Sequence, residues 1–317
     1  MSRDQIIKIA MVVCGVIVAC AVIISVTGIF GGGSSVFGYA NAEKYTAGDT
    51  EISGEIRNLD VNWTSGKVNV EYHAGSSVIV KETSSKTLSE DQQMHWWLDG
   101  DTLRIQFCKS GFRFSWGNVS KELTVLLPEG TVLKNAEISL TSGDLNVKDL
   151  KAEDLSLGTT SGDVNATAEA EKADIGSTSG DLNLKLTGDV KRLKAGSTSG
   201  SIRLEAGKVK EIEAGSTSGG IDVRAEEVKT VKIGCTSGSV YVKVKKLEKL
   251  HVSTTSGSVT AALSEEPGFT ADIGTVSGNI STGMAVTKNG SKYVCGDGSA
   301  EIELGTVSGS VRLEAAE

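Results

Sequence analysis

The chain has 317 residues, with 38 glycines against two prolines and an aromatic content of only 5%. Its net charge is -8, and of its charged residues only Arg3, Asp4 and Lys8 precede residue 31. Too apolar and too poor in proline for a disordered or collagen-like chain, it is also too acidic to offer nucleic acid a basic footprint.

Residues 9–30, IAMVVCGVIVACAVIISVTGIF, carry no charge. At about 1.5 Å per residue such a run spans a hydrocarbon core of about 30 Å, so a single transmembrane helix is predicted there. Arg3 and Lys8 precede it, which makes residues 1–8 a cytoplasmic tail and everything after the run extracytoplasmic. Two processing alternatives remain open. Ala40-Asn41-Ala42 resembles a signal-peptidase site but lies ten residues past the run. Ile17-Val18-Ala19-Cys20 resembles a lipoprotein box, yet largely apolar residues follow Cys20. An uncleaved anchor is the expectation, giving a single-pass protein of the cell membrane that meets the bilayer through residues 9–30. Residues 31–42 form a Gly/Ser linker.

Residues 43–135 lack regularity and hold all four tryptophans. They read as a bulky β region capping the repeats beyond it, with Asp99-Gly100-Asp101 turning between strands at 94–98 and 103–107. His95-Trp96-Trp97 stands out as a candidate aromatic ligand patch, against the plainer reading of packing under the N-terminal coil.

From residue 136 to 317 one motif recurs. Ser-Gly ends at Gly143, Gly162, Gly180, Gly200, Gly219, Gly238, Gly257 and Gly278, a period of about 19 residues, with further copies at Gly66 and Gly309. Two and four positions after each glycine stand apolar residues (Leu182 and Leu184, Ile202 and Leu204, Val240 and Val242), separated by polar ones. Seven and five positions before it comes a second alternating pair, such as Leu193 and Ala195. Alternation of period two is a strand with one buried face. Each repeat thus supplies two strands and two turns, too little to bury its own apolar face; stacked repeats can do so. The prediction is an all-β chain: a single β-solenoid of parallel, roughly 19-residue coils behind one transmembrane helix, in preference to a sandwich of antiparallel hairpins. The 31 residues from Gly278 to Gly309 imply an insertion near 283–300. The last coil, Ser310–Ala315, has no visible cap and is expected to leave a strand edge open.

Leu123-Thr124-Val125-Leu126-Leu127-Pro128-Glu129-Gly130 runs directly into this ladder. The combination resembles the bacterial "putative adhesin" family of β-strand-repeat domains of unknown function, in its membrane-anchored form. That resemblance covers residues 45–317 and implies adhesion, scaffolding or envelope-stress sensing, with an envelope protein or cell-wall glycan as partner. It supplies no catalytic residues.

The residues themselves offer little chemistry. His73, His95 and His251 share no metal-binding spacing, and His251 reads as a surface residue; no Walker or nucleophile-elbow motif is present. Cys108, Cys235 and Cys295 are widely separated, matching neither a disulfide framework nor a zinc pattern. Asp144, Asp163 and Asp181 occupy one position in three consecutive coils, with Asn146, Asn165 and Asn183 two residues on. Carboxylates stacked about 4.8 Å apart could share a Ca²⁺ ion; the alternative is a solvated face beside Lys148 and Lys185. No cofactor and no catalytic residue is assigned. The leading reading is a non-enzymatic envelope protein. Its rivals are a carbohydrate-binding or carbohydrate-active β-helix using the Asp ladder or the His95-Trp96-Trp97 patch, and an end-to-end polymer like the bactofilins.

Overall fold

The computed structural model describes residues 38–112 and 120–316. The apolar run at 9–30 lies outside them; no helix among the described residues is long and apolar enough to cross a membrane. The strands are β1 (Thr46–Ala47), β2 (Thr50–Ile52), β3 (Asn58–His73), β4 (Val78–Ser84), β5 (His95–Asp99), β6 (Thr102–Gln106), β7 (Lys121–Pro128), β8 (Leu133–Ser161), β9 (Val164–Ser179) and β10 (Leu182–Ser197). Beyond these come β11 (Ile202–Ser216), β12 (Ile221–Ser237), β13 (Val240–Ser256), β14 (Val259–Leu263), β15 (Gly268–Ser277), β16 (Ile280–Gly283), β17 (Thr287–Asn289), β18 (Lys292–Gly296), β19 (Ala300–Ser308) and β20 (Val311–Ala315).

From β8 to β13 each coil lies parallel on the one before, like position over like: Leu182 beside Ile202, Ile202 beside Ile221, Ile221 beside Val240. The inward residues read from the period are buried: Leu182, Leu184, Leu193, Ala195, Ile202, Leu204, Val240 and Val242 are each at most 3% exposed. The result is an all-β stack of many strands, as a solenoid requires. The early Thr64-Ser65-Gly66 copy is a true coil: β3 pairs with β8 so that Trp63 meets Leu140 and Gly66 meets Gly143.

Outside the core, charges are paired from coil to coil. Asp154 meets Lys172 at 2.8 Å, Lys194 meets Glu213 at 3.2 Å and Glu211 meets Lys232 at 2.8 Å. Exposed pairs of this kind are worth at most about 1 kcal/mol each. Their pattern matters more: Asp174, Lys194, Glu213 and Lys232 succeed one another in a row across successive strands. Skipping one coil would set like charge against like, so the row opposes a register slip.

Both ends of the stack are closed out of sequence order. At the N-terminal end β3 is sandwiched between β8 and the later strands β6 and β7, all parallel. Antiparallel β5 and β4 then cover β6 and β7, and short β1 and β2 cover those. The turn predicted at Asp99-Gly100-Asp101 joins β5 to β6. At the C-terminal end the chain lays down β15 and β16 one layer too far out. It then makes the antiparallel β17–β18 hairpin and returns to fill the gap with β19 and β20. This corrects the expectation of an open edge at Ser310–Ala315. Strand β20 is paired on both sides, by β14 and β16. The outermost strands are instead β16 and β17, of four and three residues, and short edges template poor pairing with another chain. The observation that motivated an end-to-end polymer is therefore gone.

The Ser-Gly corner sets how close the coils come. A Cβ on Gly200 would sit 1.9 Å from the carbonyl oxygen of Gly180, and one on Gly238 would sit 2.3 Å from that of Gly219. Gly200→Ala is expected to destabilise the chain by about 2 kcal/mol or more, seen as a lower thermal midpoint. Gly207→Ala, where an added Cβ meets nothing within 4 Å, should stay within about 0.5 kcal/mol of the parent. Leu204→Asp, which puts a charge into the stack, is expected to cost more than about 4 kcal/mol.

Candidate functional site

The residues just after each Ser-Gly corner build one outward face. Its first row is the Asp ladder. The Asp144 carboxylate accepts the Asp163 backbone N–H at 3.2 Å, Asp163 accepts that of Asp181 at 2.8 Å, and Asp181 accepts that of Ser201 at 2.8 Å. Each carboxylate thus ties its coil to the next through a charge-assisted bond. Where serine replaces aspartate the tie weakens: Ser258 Oγ accepts from Ser310 N–H at 3.4 Å. Among the described residues no group of three or more His, Cys, Asp or Glu is placed to hold a metal ion.

The second row is amide. Asn183 donates to Asn165 at 3.0 Å, and Asn146 to Asn69 at 3.1 Å. Beside this row lies a hollow of about 730 Å³ whose lining includes Asn146, Asn165, Asn183, Lys148, Lys185 and Arg203. A second hollow of about 470 Å³ continues it along the stack past Ser201, Ser239 and Tyr241. Both are within the size range of small-ligand sites; amides, hydroxyls, the cations Lys148, Lys185 and Arg203 and the carboxylates Asp181, Glu205 and Asp222 line them, with apolar groups between. Such a surface can hydrogen-bond an extended polar partner; it holds no nucleophile–base arrangement.

The three members of His95-Trp96-Trp97 go to different surroundings. His95 is buried, with Nδ1 3.0 Å from the Gln93 carbonyl. Trp96 packs against the hydrophobic core. Trp97 turns to Tyr45, with ring centroids 5.6 Å apart, and carries Lys44 Nζ 4.7 Å from its ring. His73 is spent in a turn, its Nε2 2.8 Å from the Ser77 carbonyl. His251 faces outward and meets Glu303 at 2.8 Å, joining β13 to β19.

Sequence reasoning missed two features. The first is a buried hydroxyl row three residues before the corner glycines from Gly162 to Gly257: Thr159, Ser177, Ser197, Ser216 and Thr254, at most 1% exposed, with Cys235 in the same place. Ser197 Oγ accepts the Gly200 N–H at 2.8 Å, and Thr306 Oγ1 donates to the Gly257 carbonyl at 3.0 Å. Thr159, Ser197, Thr254 and Thr306 brace the turn from inside, whereas the Ser177 and Ser216 hydroxyls are buried without a hydrogen-bond partner among the described residues; the hydroxyl-Thr-Ser-Gly spacing was there to read. The second is Lys121, fully buried, with Nζ 2.5 Å from Glu82 and 2.7 Å from the Gln92 carbonyl, above the Phe107 ring at 4.0 Å. Its position two before Leu123 put it in the inward phase of the strand. Burial pushes the Glu82 carboxyl up and the Lys121 ammonium down, while their mutual attraction opposes both shifts.

The match to known proteins agrees with this architecture. The Toastrack DUF4097 family model covers residues 56–314. The chain belongs to that family of β-strand-repeat domains, whose function is unknown. No curated protein matches it. Among solved structures, one described as a "putative adhesin" from Parabacteroides distasonis is 14% identical with a TM-score of 0.47, over 83% of this chain and 95% of that one. Another "putative adhesin", from Bacteroides fragilis, is 11% identical with a TM-score of 0.38, over 84% and 95%. A "putative cell adhesion protein" from Clostridium sporogenes is 13% identical with a TM-score of 0.21, over 85% and 99%.

The buried groups yield two expected outcomes. Glu82→Gln strands the Lys121 charge and is expected to cost about 3–5 kcal/mol in chemical denaturation; adding Lys121→Met should recover most of that. Burial pushes the Cys108 and Cys235 thiols up to about 11, so at pH 8 they are thiols and not thiolates. A thiol-disulfide reagent should leave them untouched until the chain is denatured. Because their folded values exceed the ordinary 9.0, the folded state binds more protons. Its stability should therefore fall as pH rises from 9 towards 11.

Proposed function

We propose that this chain is a membrane-anchored, extracytoplasmic protein of the bacterial envelope that works by binding and catalyses no reaction. Residues 9–30 hold it in the cell membrane, and its rigid stack presents the Asn- and Asp-laddered face to an envelope component for adhesion, scaffolding or stress sensing. One observation carries the reading. Along this face the Asn69–Asn146 and Asn165–Asn183 amide pairs run from coil to coil beside two hollows that share Asn183 and Arg203 in their lining. A regular row of amides and hydroxyls on a stiff support suits recognition of an extended polar chain. The acidic net charge keeps such a domain soluble and sets it against nucleic acid as a partner.

Protease added to intact cells should degrade the repeat region and spare the first thirty residues; full protection in cells with an accessible surface would refute the location. The purified chain should retain a protein or glycan from envelope fractions, and Asn165→Arg with Asn183→Arg should reduce retention at least fivefold. Release of reducing sugar from a polysaccharide by the purified chain would refute the non-enzymatic reading.

A further inference from the structure

The N-terminal end of the stack carries a surface unlike any other on the described residues. The Tyr39 and Tyr45 rings lie tilted against each other with centroids 4.6 Å apart, Tyr45 meets Trp97 at 5.6 Å, and the Lys44 ammonium lies 4.7 Å from the Trp97 ring. Lys44 is exposed and the three rings are partly so. Trp97 is on β5 and Tyr45 immediately precedes β1, the two outermost strands on that side of the stack. The Tyr39 hydroxyl donates to the Cys108 carbonyl at 3.0 Å, which fixes the ring against the cap. Amphipathic rings beside a lysine are the side chains that settle at a bilayer's headgroup level, with apolar bodies inward and polar edges wet.

Chain length brings this surface to a membrane. Only residues 31–37 separate Phe30, the end of the apolar run, from Gly38, the first described residue. Whatever their conformation, they reach less than about 30 Å. The stack, at about 4.8 Å per strand, is on the order of 60 Å long. A chain held in a bilayer through residues 9–30 therefore keeps its N-terminal end close to that bilayer. Farther from that end the flanks carry rows of charged pairs such as Lys172 with Asp154 and Lys245 with Glu226, whereas beside the cluster Arg104 is paired with Asp60 and Asp99. The end bearing the aromatic cluster is the better fit.

We propose that Tyr39, Lys44, Tyr45 and Trp97 rest in the headgroup layer of the membrane that residues 9–30 enter, so that the stack stands upright on its N-terminal end. This rests on the membrane-anchored reading above. It puts the β16–β17 end farthest from the bilayer and turns the laddered face sideways, open to a partner lying beside the chain.

The test uses the full chain in phosphatidylcholine vesicles containing a lipid with a nitroxide on its headgroup. The Trp97 signal is the fluorescence difference between the chain and its Trp97→Phe variant. At least a twofold quenching of that difference is expected, with the buried Trp63 unaffected. Lys44→Glu with Tyr45→Ser should lose at least half of the quenching while leaving the far-UV circular dichroism unchanged. If the chain floats with the vesicles and the Trp97 signal is unquenched, the docking proposal is overturned and the anchor stands. If the chain does not float with the vesicles, the anchor reading falls and the docking proposal falls with it.

Discussion

At the Ser-Gly corner, backbone touches backbone. Each corner glycine lies so close to a carbonyl one layer away that a methyl group would overlap it: 1.7 Å for Gly143 against Gly66, 1.9 Å for Gly180 against Gly162, 2.2 Å for Gly309 against Gly257, and 1.8 Å for Gly66 against Lys121. Everything else about the stack depends on that approach. Strands lie in register because the corners can close to strand spacing. With the corners closed, Leu lies over Ile and Ile over Val inside, and the buried hydroxyls of Thr159, Ser197, Thr254 and Thr306 reach the glycine backbone. The Asp carboxylates outside then come within reach of the next coil's N–H. Larger residues at the corner would splay the coils and undo all of these contacts together.

A stack of this kind has a problem at each end, where a full coil would expose unpaired backbone. This chain solves it the same way twice. A segment is laid down out of order, and the missing layer is filled by chain from farther along the sequence: β6–β7 between β3 and β4–β5, and β19–β20 between β13–β14 and β15–β16. The middle of the molecule is built from neighbouring repeats, whereas its ends close only when distant segments meet. Such contacts pay loop-closure entropy before they gain energy. The specific devices cluster where that cost falls, with the buried Lys121–Glu82 pair in one cap and the His251–Glu303 contact at the inserted strand of the other.

The surfaces divide by the same logic. The side before the corner and the far turn carry charges that satisfy one another from coil to coil. The face after the corner adds the Asp and Asn ladders and two hollows to charges of its own, such as the Lys148–Glu71 pair, and the N-terminal end carries aromatic rings. The catalytic arrangements that a β-helix can support need acids set in a cleft with aromatic or basic neighbours; here the aligned acids are bonded to backbone N–H groups instead.

The repeat itself was legible in the sequence, because a period of about 19 residues with two alternating stretches admits few ways to bury its apolar side. Inward residues such as Leu182, Ile202 and Val242 can be read from that pattern alone, and so can the corner glycine. Tertiary structure decided what periodicity cannot carry. That Ser310–Ala315 lies inside the stack and not at its edge depends on which distant strand fills a vacant layer, and β15 and β19 carry the same Gly-Thr-Val-Ser signature. The use of the Asp carboxylates depends on whether the next coil's N–H comes within about 3 Å. That distance is set by backbone spacing at the corner and leaves no mark on residue type. His95, Trp96 and Trp97 are adjacent in sequence but part company in the cap, because neighbouring strand residues point to opposite faces and a cap has several surfaces to offer them.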